Sequence, residues 1–94
     1  MKKLTKFDSA EYLDDEELQA RYLVDVAKEN DPAELLRAID TIARARGMAK
    51  TAREAGITRE GLYKALSPQG NPAFSTIFKV LNVIGYTLVP MPMD

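Results

Sequence analysis

The stretch "AREAGITREGLYKAL", residues 52–66, constrains the fold more than any other part of the chain. Gly56 interrupts two runs with helical spacing. Each run is shorter than the ~12 residues that a lone helix needs in water, so both must gain their stability by packing. Ala52 suits a close contact between helices, Gly56 a left-handed turn, Ile57 a plug into the core, and Thr58 an N-cap. Leu62, with Ala65 or Leu66, supplies the inward face of the second run. In this register the residues predict a helix-turn-helix. The plainer alternative is an αα-hairpin in a small bundle, its outward charges serving solubility.

Capping and stop signals divide the rest of the chain. "LDDEEL" places Asp14 at an N-cap with Glu17 three residues on, and sets Leu13 and Leu18 at hydrophobic-staple positions. Leu18, Tyr22, Leu23, Val26 and Ala27 then recur at helical spacing up to about Lys28. "DPAE" repeats the signal with Asp31 as cap and Pro32 at the first helical position, where its missing N–H is harmless. Leu35, Leu36, Ile39, Ile42 and Ala43 form that helix's apolar stripe, and Gly47 stops it after Arg44 and Arg46. Residues 48–55 and 58–66 are the two short helices. Asn71 and Pro72 are then expected to cap a last helix with Phe74, Ile77, Phe78, Leu81 and Ile84 along its buried face, stopped by Gly85. "YTLVPMP" reads as a short edge strand or an extended tail.

Charge is distributed unevenly along the chain. Its net value of −1 hides −5 over residues 1–34 (five Lys/Arg, ten Asp/Glu), +4 over 35–70 (seven against three) and 0 over 71–94. A basic middle beside an acidic beginning suits two different surfaces, although uneven scatter on a helical protein gives the same numbers. The chain has neither Cys nor His, which excludes disulfides, thiolate metal sites and the commonest neutral-pH base. No cofactor, metal site or catalytic residue is expected. A small enzyme would have to rely on the carboxylate run Asp14, Asp15, Glu16 and Glu17, which instead suits the solvated first turn of a helix. With no apolar run long enough for a signal peptide or a membrane span, a cytoplasmic protein without a membrane partner is expected.

With Leu62 and Leu66 turned inward, the step of about 100° per residue leaves Arg59, Glu60, Tyr63 and Lys64 outward. Such a face can enter a major groove of double-stranded DNA. Arg59 can bond guanine O6 and N7, Lys64 guanine or phosphate, and Tyr63 phosphate or a thymine methyl. Thr58 with the helix-end N–H groups can hold a phosphate. Glu60 would accept from a cytosine amino group or pair with a neighbouring cation. Gly61 is unfavourable inside a helix by roughly 1 kcal/mol, unless its missing side chain permits close approach to DNA.

On "KFDSAEYLDDEE", "DPAELLRAIDTIARARGMAKTAREAGITREGLYKALSPQGNPAFSTIFKVLNVIG" and the apolar tail, the chain resembles the helix-turn-helix antitoxins often labelled probable addiction module antidote proteins. These are related to HigA and to the wider Xre, lambda-repressor-like group. The resemblance implies an all-α, lambda-repressor-like helix-turn-helix bundle with an N-terminal helical extension and a short C-terminal strand or tail. The corresponding divisions are residues 1–30, 31–85 and 86–94. It further implies a type II antitoxin that neutralises a RelE/ParE-like toxin and represses its own operon as a homodimer on operator DNA. Carried across residue by residue, the family's DNA-contacting positions fall on Thr58, Arg59, Glu60, Tyr63 and Lys64, with Lys50 and Thr51 at the start of the preceding helix. Thr51 stands where Xre domains usually carry an apolar residue, and Gly61 replaces a better helix former. Both departures predict a loosely held recognition helix.

Two further surfaces are expected. Tyr86, Thr87, Leu88 and Val89 can pair with their counterparts in a second copy, while Pro90 and Pro92 stop the ladder from growing. The acidic arm offers Phe7, Tyr12 and Leu13 as anchors for a basic toxin, or as a lid on the protein's own core. A stand-alone Xre-type regulator and a helical interaction adaptor are the alternatives to a toxin-linked repressor.

Overall fold

The computed structural model describes residues 15–94, and among these every regular element is an α-helix. They are α1 (Glu16–Ala27), α2 (Pro32–Arg46), α3 (Met48–Ala55), α4 (Arg59–Ala65) and α5 (Phe74–Val83). Phe7, Tyr12, Leu13 and Asp14 lie outside the described residues. The cap of α1 is Asp15, one residue later than the spacing predicts. Its carboxylate accepts from the Glu17 N–H at 2.8 Å, which leaves Glu17 one position short of closing a capping box. Leu18 is 40% exposed, and Leu23 and Gln19 carry the buried face instead. Through this face α1 packs on α2.

The cap of α2 is as expected. Asp31 accepts from the N–H groups of Ala33 and Glu34, with Pro32 leading the helix. Ala38, Ile39, Ile42 and Ala43 are fully buried, with Leu35 and Leu36 partly so. Gly47 then ends α2 and caps α3 at once, with φ +109°. Its N–H closes α2 on the Ala43 carbonyl, and its own carbonyl accepts from the N–H and the hydroxyl of Thr51 at 2.9 and 2.8 Å.

Short α3 touches α2, α4 and α5, so it is the hub of the core. It ends at Gly56 in the left-handed region (φ +76°, ψ +26°). The Gly56 N–H bonds the Arg53 carbonyl and the Ile57 N–H the Ala52 carbonyl, the paired bonds of a Schellman motif. Ala52, Ala55, Leu62 and Leu66 are buried and Ile57 packs against them, as the spacing predicts. Thr58 caps α4 by accepting from the Gly61 N–H at 2.9 Å. A Cβ at Gly61 would stand 2.9 Å from that same hydroxyl oxygen, so the glycine has a reason internal to the cap.

Gly70 lies against the end of α4, where a Cβ would meet the Lys64 and Ala65 carbonyl oxygens at 2.6 and 2.5 Å. Beyond it the expected cap at Asn71 does not form. Ala73 stays extended (φ −64°, ψ 151°) and takes the cap position without a side-chain acceptor, so Pro72 precedes the helix instead of leading it. Val80, Leu81 and Ile84 bury the inner face of α5, and Ile77 is partly buried. Phe74 and Phe78 depart from the expected stripe: they are 69% and 38% exposed, with ring centroids 5.1 Å apart. Residues 86–94 form a tail without regular structure and not a strand, with Tyr86 and Leu88 packed against the core. Among the described residues no helix is long and apolar enough to cross a membrane.

A candidate nucleic-acid interface

The end of α2, the outer side of α3 and the flank of α4 meet around Tyr63. A shallow hollow there is lined by Arg44, Lys50, Arg53, Arg59 and Tyr63 together with the start of α3. A second hollow continues from it past Thr58, Arg59 and Glu60, sharing Tyr63. Four cations from three helices thus face one depression. Among the described residues, Lys50, Arg53 and Arg59 have no carboxylate within salt-bridge distance.

Arg44 differs from these three. Its Nε donates to Asp40 Oδ2 at 2.9 Å across one turn of α2. That hydrogen bond, followed by an opposing effect of burial and then by the charges of Asp40 and Tyr63, raises the guanidinium above its ordinary pKa. The ion pair also leaves Arg44 over the ring of Tyr63, its Cζ 5.2 Å from the centroid. Arg59 approaches the same ring at 5.6 Å. Both distances lie within the roughly 6 Å reach of a cation–π contact.

Of the residues singled out in the sequence, Lys50, Arg59 and Tyr63 are brought together in the first hollow, and Thr58 and Glu60 beside Arg59 in the second. Lys64 is exposed further round α4. Thr51 does not belong with them: it is 1% exposed and turned into the core, where its hydroxyl bonds Gly47. Sequence reasoning missed Arg44 and Arg53. The sequence marks Arg44 only as a helix-end cation and does not single out Arg53, and only the crossing of α2 and α3 beside α4 reveals their common side. On the tail, Tyr86 and Leu88 are partly buried while Thr87 and Val89 are exposed. Asp15, Glu16 and Glu17 are exposed in the first turn of α1. Among the described residues, no group of His, Cys, Asp or Glu could hold a metal ion.

A family model described as a probable addiction module antidote protein matches residues 3–92, almost the whole chain. The chain belongs to this family. An antidote acts against a toxin, so membership implies a toxin partner and suggests a regulatory protein instead of an enzyme. The chain is also 49% identical over 81 residues to an uncharacterized protein of Haemophilus influenzae, covering 86% of this chain and 84% of that one. No solved structure matches it.

Proposed function

We propose that this protein is the antitoxin of a type II toxin–antitoxin pair in the cytoplasm, that it neutralises a RelE/ParE-like toxin, and that it represses its own operon. In this reading α3 and α4 are the helix-turn-helix of a lambda-repressor-like domain, with α4 as the recognition helix in the major groove. The observation that carries it is the gathering of Lys50, Arg53 and Arg59, none of them paired with a carboxylate among the described residues, around Tyr63 in a chain whose net charge is −1. A field of that sign on one side attracts phosphate, while Arg59, Glu60, Tyr63 and Lys64 are available to base edges and backbone. One α4 spans too few base pairs for useful specificity. A homodimer joined through Tyr86, Thr87, Leu88 and Val89 would present two copies about 34–36 Å apart.

The test is fluorescence anisotropy on a duplex from the protein's own promoter, followed through a salt series. Binding should weaken linearly on a log–log plot with a slope of about −0.9 per phosphate engaged. Arg59→Ala should remove roughly 1–3 kcal/mol of promoter affinity, and Lys64→Ala should flatten the slope by about one contact. Salt-insensitive or absent binding would leave the interaction adaptor as the better description. Co-purification with the product of the neighbouring gene tests the toxin half independently.

A further inference from the structure

The ion pair within the cationic hollow calls for an explanation. A surface built only to hold phosphate gains from every free cation, yet Asp40 occupies the one guanidinium that α2 contributes. The Arg44 side chain is half exposed, so its own burial does not demand a counter-ion, whereas Asp40, 23% exposed, gains from having one. With its arginine half in solvent, such a pair at i and i+4 adds little to a helix, so stability alone does not account for it. What the pair does is fix Arg44 in place over the Tyr63 ring, which Arg59 also approaches.

We propose that Asp40 is a specificity-determining residue of the DNA face: it keeps Arg44 off the phosphate backbone and makes Arg44 and Tyr63 positioning residues for Arg59. This rests on the DNA-binding reading above. Phosphate contacts are blind to sequence, so withdrawing one cation lowers affinity for all duplexes alike. An arginine already ordered on an aromatic ring gives up less side-chain freedom when its fork meets a guanine, which favours the correct sequence. Asp40 acts in both directions at once, through Arg44 and not by touching DNA.

The full-length protein is measured from 50 to 200 mM salt on two probes, its own promoter duplex and a mixed-sequence duplex of equal length. Asp40→Asn should release Arg44, tighten binding to the mixed-sequence duplex and steepen both salt slopes by about 0.9, an additional loss of roughly 3.5-fold across that salt range. The promoter-to-mixed affinity ratio should fall. Arg44→Gln, which asks nothing of Asp40, should lower the ratio while leaving the slopes at the wild-type value. Tyr63→Phe should keep the ratio and Tyr63→Leu should lose it. Slopes flattened by about 0.9 in Arg44→Gln would make Arg44 an ordinary phosphate contact and overturn the proposal, as would wild-type slope and ratio in Asp40→Asn. Either result leaves the DNA-binding reading standing, whereas a wild-type protein that binds neither duplex removes that reading and this one together.

Discussion

Thr51 donates its hydroxyl hydrogen to the carbonyl oxygen of Gly47 at 2.8 Å, and that oxygen also accepts the Thr51 N–H at 2.9 Å. A polar residue at a buried position of α3 is thereby satisfied inside its own first turn. The buried threonine therefore leaves no unpaired hydroxyl inside α3. Since the carbonyl keeps one donor when the hydroxyl is removed, Thr51→Val should change stability by less than about 1 kcal/mol and leave promoter affinity and its salt slope untouched. Urea melts and anisotropy check the two halves, and a tenfold loss of DNA affinity in a folded Thr51→Val protein would return Thr51 to the binding face.

The left-handed conformation of Gly56 gives a second prediction. A Cβ at this position would meet nothing within 4 Å, so backbone strain alone opposes a side chain. Gly56→Ala should destabilise by roughly 1–2 kcal/mol and Gly56→Asn by less. Equal urea midpoints for wild type and Gly56→Ala would contradict the Schellman geometry between α3 and α4.

Packing of α1 on α2 predicts where the chain tolerates truncation. Removing residues 1–14 retains the Asp15 cap and should leave cooperative unfolding intact. Removing residues 1–29 takes away Leu23, a buried core member, and should cost at least the roughly 2–5 kcal/mol of a Leu→Ala change. Thermal melts by circular dichroism distinguish them. The shorter truncation also tests Phe7, Tyr12 and Leu13 as toxin anchors: it should still bind promoter DNA but fail to retain the neighbouring gene's product, and undiminished capture would place the toxin surface elsewhere.

Tyr86 provides a pH test. Burial first, and the charge of Glu16 second, raise its phenol above the ordinary 10.0, against the opposing pull of Arg46. The folded state then holds this proton more tightly than the unfolded state does, so stability is constant below the unfolded pKa and declines as pH climbs through it towards the folded value. Urea midpoints should therefore fall above pH 10 more steeply in wild type than in Tyr86→Phe. Glu16→Gln should reduce the difference, and parallel decline in wild type and Tyr86→Phe would show that the phenol is not shifted.

What the sequence made legible was local. Asp31, Pro32, Gly56, Thr58 and Leu62 each follow from rules spanning four residues or fewer, and each stands where those rules put it. Where three-dimensional neighbours decide, the pattern was insufficient. Phe74 and Phe78 share helical spacing with Leu81, yet at their end of α5 they remain exposed. Asn71 and Pro72 carry the right chemistry for a helix start, but Ala73 is still extended when α5 begins. Arg44 and Arg53 are charged residues like many others until the crossing of three helices gives them a common side.

Gly47 belongs to two helices at once, so no idle residue separates α2 from α3. An insertion there cannot be absorbed as slack. One extra helical residue would turn everything downstream by about 100° about the axis of α3. Thr51 and Ala52 would rotate out of the interior, a charged neighbour would rotate in, and the cations of α3 would no longer meet Arg44 of α2. Related chains should therefore differ in length beyond Val89 more readily than here, and the distance from Asp40 to Arg59 counted in residues should be among the most slowly changing quantities in their history.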